Sequence, residues 1–379
     1  MSSRKLLKWQ DAGLIDAATR ERIEAWEAEH SRPLALWAAI GIGALAIGLG
    51  VISVVAANWE EVPGQVRLAL HLVLLAGLAG FIWLRGDRLE GEQPWGLEAA
   101  VFVFAILGMT FFGHIGQVYQ TSSPLWQPLA AWLLLFAPLL LMRGQSWLAA
   151  ALLFGTLAYA CWDYVLQADR QFWERENVPD VWYSFVTAAP VLVAPVAAWM
   201  RERDGRTVFW KRLEQATLAY ALGGASLICI AAGYEHFDEQ ALGPASQAIR
   251  AALGLVAAAG VFLARKRPTG QASASILAAA GLAGLIAVPV ADNEIAGGLL
   301  FMALWLVVAA ASLKAGWRGA FQLAVAAIAL RLIILSFELA SDLLTSGFGL
   351  ILAGMMVLAV AWGALRVSRE FAPTREEEG

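Results

Sequence analysis

From Leu34 to Leu365 the chain runs as about twelve apolar stretches of roughly 18–24 residues, separated by short charged or turn-rich breaks. Wound as an α-helix, each is long enough to cross a hydrocarbon core of ~30 Å. The pattern predicts spans beginning near Leu34, Gln65, Gly96, Trp126, Ser146, Val181, Leu213, Ser246, Gln271, Ile295, Gly319 and Gly347. The expected fold is therefore all-α: a polytopic transmembrane helical bundle over residues 34–366.

The leading 33 residues read differently. Ser3–Ala12 has helical character, Gly13 is placed to end that helix in a left-handed cap, and Asp16 can cap a second helix running to about Glu29. Leu6, Leu7, Leu14, Ile15, Ile23 and Trp26 would form the apolar side of a short helical hairpin. About 30 residues bury too little surface for a domain stable alone, so the hairpin is expected against the inner membrane surface or against a protein partner. Residues 367–379, ending Arg375-Glu-Glu-Glu-Gly379, read as a solvated cytoplasmic tail.

Composition agrees with a lipid solvent. With 59% hydrophobic and only 15% charged residues, a water-facing surface over 379 positions could not be covered. The leading segment is polar and lacks a signal-peptide pattern, so the first span is expected to remain. Charge sets the orientation. Of 27 Lys and Arg, only Arg67, Arg170, Arg175, Arg250 and Arg331 fall on the side opposite the amino terminus or in that half of the bundle. The positive-inside rule then places both termini in the cytoplasm. An even span count agrees. Trp37, Trp59, Trp83, Trp95, Trp126, Trp147, Trp182, Trp199, Trp317 and Trp362 lie near span ends, where an amphipathic ring anchors at the headgroups. Acidic loops around Glu60, Glu174, Asp238 and Asp292 read as what orientation sorting leaves on the outer side, rather than as a cation funnel.

Small residues such as Ala44/Gly48 and Ala46/Gly50 let helix backbones approach closely. Cys161 and Cys229 sit inside apolar stretches, so neither a disulfide framework nor a metal set is offered. No phosphate-binding loop, H-E-x-x-H, C-x-x-C, G-x-S-x-G or intramembrane protease motif occurs, and four scattered histidines give no metal spacing. No catalytic residue, cofactor or nucleic-acid partner is expected; the one certain partner is the bilayer.

Three stretches carry a family resemblance: Trp9…Gly13-Leu14-Ile15; Gly48-Leu-Gly50-Val51-Ile52 with Ala57-Asn58-Trp59-Glu60 and Pro63…Arg67; and His114-Ile-Gly116-Gln117-Val-Tyr119. Together they resemble a bacterial family of predicted membrane proteins, domain of unknown function 2157. The likeness is most specific over roughly the first 145 residues, and the last pair of spans, with Arg331…Asp342-Leu343-Leu344-Thr345, resembles the closing region of such proteins. It implies a protein of the bacterial inner membrane and carries over no site residues.

Arg331 is the strongest candidate for function. It lies thirteen residues beyond Arg318, ~20 Å into its helix, where a cation is costly unless it faces protein or water. Glu338 and Asp342 share its helical face. Helical side chains lean toward the amino terminus, so Arg331 points away from Glu338, and Asp163, at comparable depth in the fifth span, is the alternative partner. A second candidate is Gly113–Pro124, whose His114, Gln117 and Tyr119 could sit on a turn re-entering the bundle or on an ordinary outer loop. His71 follows Arg67 by one turn and reads as a hydrogen-bonded histidine or a proton relay. Two readings of function follow. In one, Arg331, Asp163, Glu338, Asp342, His114, Gln117 and Tyr119 form a polar site in the outer half that binds or transports a small solute, lipid or ion. In the other, the protein is a scaffold or regulatory subunit of a membrane or envelope complex, with residues 1–32 as its handle.

Overall fold

Proline and glycine punctuate the chain where helices begin and end. The computed structural model describes residues 6, 9–30, 46, 62–92, 94–171, 180–233, 243–290, 293–339 and 347–371, and among these every regular element is helical. The first predicted span with Ala44/Gly48, the Asn58-Trp59-Glu60 segment, the acidic loops around Glu174, Asp238 and Asp292, Asp342, and the tail after Phe371 lie outside the described residues.

The chain divides into two units, residues 1–69 and 70–379. In the first, Gly13 adopts φ +69°, its amide donates to Gln10 O at 2.9 Å, and Leu14 N donates to Trp9 O at 2.9 Å. These paired bonds are a Schellman cap, open to glycine without steric cost. Asp16 Oδ1 then accepts from Thr19 N at 2.8 Å and caps helix α1 (Ala17–His30). Arg20 Nη1 donates to Gln10 Oε1 at 2.8 Å, tying α1 to the turn of helix before it.

Helix α2 (Gly64–Glu92) leads into the second unit, followed by α3 (Pro94–Tyr119), α4 (Trp126–Arg143) and α5 (Trp147–Gln171). The next span is broken into α6 (Asp180–Ala188), a 3₁₀ turn (Ala189–Leu192) and α7 (Val193–Arg201). Then come α8 (Thr207–Ala231), α9 (Pro244–Ala264), α10 (Pro268–Ala287), α11 (Glu294–Lys314), α12 (Arg318–Leu339) and α13 (Gly347–Phe371). Among the described residues ten segments, from α2 to α12 with α6 and α7 counted as one, are long and apolar enough to cross a membrane; the described apolar run in α13 is Gly354–Ala364. Large apolar side chains such as Leu84, Leu134 and Met142 are exposed along these segments. Continuous apolar exposure on helices of this length needs lipid around it. This is a multi-pass helical membrane protein.

Helix α8 begins at Thr207, six residues before the position the hydropathy pattern predicts, so Lys211, Arg212 and Glu214 are helical. The charged residues interrupt the hydropathy there, but the backbone continues its hydrogen bonding through them. We call the end of the second unit that carries Arg143, Arg201, Arg206 and Arg265 the basic end. There Arg143 pairs with Asp87 at 2.7 Å, and Arg206 Nη1 donates to Gly144 O at 3.2 Å.

Between helices, lipid gives no hydrophobic drive to associate, so close packing and buried hydrogen bonds must hold the bundle. A Cβ on Gly254 of α9 would lie 2.8 Å from Gly281 Cα of α10, so these two backbones are in contact. The α3–α4 crossing has the same character, with the Phe136 ring lying directly on Gly108. Trp132 is buried beside it and donates Nε1–H to Ala105 O at 2.7 Å. Trp83, Trp147, Trp182, Trp199 and Trp362 are exposed, as interface anchors should be, whereas Trp132, Trp210 and Trp305 are core residues bonded to Ala105, Asp204 and Ser226. The broken span follows from Pro190, which has no N–H to donate within the 3₁₀ turn; Tyr220 OH from α8 donates instead to Thr187 O.

Candidate functional site

Arg331 projects from α12 and is 4% exposed. Its Nη1 meets Glu338 Oε1 at 3.1 Å, two turns further along the same helix. The partner is therefore Glu338, not Asp163. The lean that turns Arg331 away from Glu338 turns Glu338 toward Arg331, and the long arginine stem covers the rest of the distance. Space comes from α11: a Cβ on Gly298 would lie 3.2 Å from Arg331 Nη2 and 3.2 Å from Leu335 Cδ1. The guanidinium is thus sandwiched between a glycine backbone and its own helix. Its Nε has no hydrogen-bond partner among the described residues.

Asp163 serves a different purpose. Buried in α5, it accepts the Trp126 amide on Oδ2 at 2.7 Å, where α4 leaves its first N–H groups without intrahelical partners. Trp126 and Tyr164 pack edge to face above it, with ring centroids 5.3 Å apart. Glu98 of α3 lies at the other end of α5, accepting from Gln145 N at 2.7 Å and from Ser146 Oγ. Asp163 thus caps α4 from a neighbouring helix, whereas Glu98 holds Ser146, whose Oγ accepts from Ala149 N at 3.2 Å and caps α5.

His114 faces α2, where its Nδ1 lies 3.3 Å from His71 Nδ1. His71 Nε2 is 3.0 Å from Leu107 O, and a carbonyl only accepts, so that nitrogen carries the proton. The two Nδ1 atoms then share one proton across their 3.3 Å contact. Residues 113–119 are helical, so α3 runs on without a re-entrant turn. It ends with Gln120 at φ +53° and Thr121 N donating to Gly116 O at 3.1 Å.

That ending opens a cleft of about 850 Å³ between α3, the 120–125 connection, α4 and α5. Met109, Phe112 and Leu152 wall its deep part; Gln117, Thr121, Ser122, Ser123, Thr156 and Tyr159 supply the polar groups. No Asp, Glu, Lys, Arg or His lines it. Gly113 and Gly155 both line it, with nothing within 4 Å of an added Cβ on either. Tyr119 is exposed and does not line the cleft. Besides exposed Tyr119, the described candidates occupy four places: an ion pair at Arg331 and Glu338, a helix cap at Asp163, an imidazole pair at His114, and a cleft reached by Gln117.

The largest buried charge cluster lies at the basic end, and hydropathy gives no hint of it. Glu214 of α8 is 2% exposed; Arg265 Nη1 approaches its two oxygens at 3.0 and 2.9 Å, and Arg201 Nη1 approaches Oε2 at 3.3 Å. Ser273 Oγ donates to Glu214 Oε1 at 2.6 Å, Arg265 Nη2 donates to Thr269 at 2.6 Å, and Glu202 sits 3.3 Å from Arg265 Nε. The cluster binds α7, α8, α9 and α10 together. The signal in the sequence is acids, Glu202 and Glu214, among the inner basic residues. Among the described residues no group of acids, histidines and cysteines could hold a metal ion.

Residues 7–149 match the family of predicted membrane proteins DUF2157. This matched region spans α1 to the first turn of α5 and holds His71, His114, Gln117 and most of the cleft wall; Asp163, Glu214, Arg265, Arg331 and Glu338 lie beyond it. No curated protein and no solved structure shows significant similarity to the chain.

Proposed function

We propose that this membrane protein binds a small molecule in the cleft between α3, α4 and α5. The observation that carries the reading is the combination of volume and uncharged polar lining. A cleft of about 850 Å³ lies within the size range of ligand sites, and Gln117, Thr121, Ser122, Ser123, Thr156 and Tyr159 bring hydroxyl and amide groups to its wall. Gln117 belongs to this cleft, whereas Arg331, Glu338 and Asp163 support the bundle around it. The basic end faces the cytoplasm by the positive-inside rule, which puts the cleft mouth at the outer face of a bacterial inner membrane.

Occlusion tests the reading. Gly155 and Gly113 both line the cleft and each has room for a Cβ, so Gly155→Phe and Gly113→Phe are the substitutions chosen to fill it. Untargeted lipid and metabolite profiles of a deletion strain carrying wild-type, Gly155→Phe, Gly113→Phe or no gene are compared. One compound class shifts without the gene, and the occluded variants, inserted at normal levels, fail to correct it. Full correction by both variants overturns the proposal.

A scaffold role keeps one supporting observation: Leu14 and Trp26 are exposed, which suits docking of a protein on residues 1–32. Loss of function on deleting those residues, with normal membrane insertion and no effect of cleft occlusion, would favour that role.

A further inference from the structure

Building on the cleft as a ligand site, we propose that its ligand is an uncharged single-chain amphiphile, of the monoacylglycerol class, lying along α3 with its hydroxyl-bearing head at the 120–125 connection. Polarity is graded along the cleft. Gln117, Thr121, Ser122 and Ser123 gather at the mouth, while Phe112 and Met109 lie about one and a half to two helical turns deeper, ~7–12 Å along α3 from Gln117. A molecule polar at one end and apolar over the rest fits that gradient; a uniformly polar solute leaves the deep wall unmatched.

The head carries no net charge because the cleft offers no counter-charge. The nearest ionisable groups are turned elsewhere: Asp163 is engaged by Trp126 N, and His114, one turn from Gln117, faces His71 on α2. A phosphate or ammonium drawn into such a site would lose hydration with only neutral dipoles to replace it. Hydroxyl and amide side chains instead match the donors and acceptors of a glycerol-like head. Thr156, a buried residue on the α5 wall of the cleft, supplies a further polar contact below the mouth. The volume suits one acyl chain and its head.

Photoaffinity labelling of the full chain in phosphatidylcholine nanodiscs tests this, with monolauroylglycerol carrying a chain-terminal diazirine as probe. Labelling of α3 and α5 peptides is expected. Excess unlabelled monolauroylglycerol suppresses it at least tenfold, and lauroyl lysophosphatidic acid and lauroyl lysophosphatidylcholine at the same concentration leave it in place. Gly155→Phe abolishes the labelling. Thr156→Val, which keeps the volume and removes the hydroxyl, weakens competition by about tenfold. If a charged analogue competes as well as the neutral one, the ligand class is wrong while the site stands. If no probe gives labelling that Gly155→Phe removes, the site reading falls with it.

Discussion

Asp163 Oδ2 holds the Trp126 amide at 2.7 Å, so an acid buried in α5 does the work of the N-cap that α4 lacks in its own sequence. The residue preceding α4 is Leu125, which makes no side-chain cap bond. A carboxylate at a helix amino terminus also meets the positive end of the helix dipole.

Removing that cap should loosen the cleft mouth before the rest of the bundle. Asp163→Ala is expected to cost about 2 kcal/mol, the value of a hydrogen bond to a charged acceptor. Asp163→Asn should recover part of it, since an amide oxygen still caps. Thermal unfolding in detergent checks the order wild type, Asn, Ala. Equal melting temperatures for all three would show that the cap carries no stability.

Buried ion pairs here predict asymmetric mutant behaviour. Glu338→Gln leaves Arg331 charged between Gly298 and its own helix, and Glu214→Gln leaves Arg265 and Arg201 together without their shared carboxylate. Each change should destabilise by roughly 3–5 kcal/mol. The double replacement Arg331→Met with Glu338→Met should be milder than either single change, because it removes both charges. A double-mutant cycle on unfolding free energy measures this, and additive effects would exclude the pairing.

Helix contact at Gly254 and Gly281 predicts a size threshold. Gly281→Ala presses a methyl on a backbone 3.1 Å away and should cost about 1–3 kcal/mol; Gly281→Leu should block assembly of α9 against α10. Cysteine crosslinking between the two helices, compared at equal expression, reads the loss.

At the basic end, Arg206 bonded to Asp204 holds that carboxyl down from the usual 3.8 to about 2, with Trp210 Nε1–H adding to the effect. A depressed acid stabilises the fold fully above its unfolded value and loses that contribution as pH falls through the folded one. Stability should therefore drop by on the order of 2 kcal/mol between pH 4 and 2 from this group. Asp204→Asn should flatten that segment of the thermal stability profile, and an unchanged profile would remove Asp204 from the acid response.

Local signals made much of the helical fold legible. Gly13 and Asp16 cap because φ and a short side chain act within four residues, and Pro244 and Pro268 open α9 and α10 because proline suits a first helical turn. Apolar length alone locates the spans. The candidate site was less legible: one helical face relates Arg331 to Glu338, but nothing local relates Thr156 to Gln117, or Glu214 to Arg265 fifty-one residues away.

By itself, then, the sequence determined the solvent, the helices and the side on which the basic residues gather, since each depends on hydropathy, chain length or neighbours within a turn. Tertiary structure decided which buried acid meets which buried base, which carboxylate caps which helix, and that Gly113 and Gly155 face open space. Those outcomes depend on the rotation and depth of one helix against another, set by packing over the whole bundle rather than by any single stretch of chain.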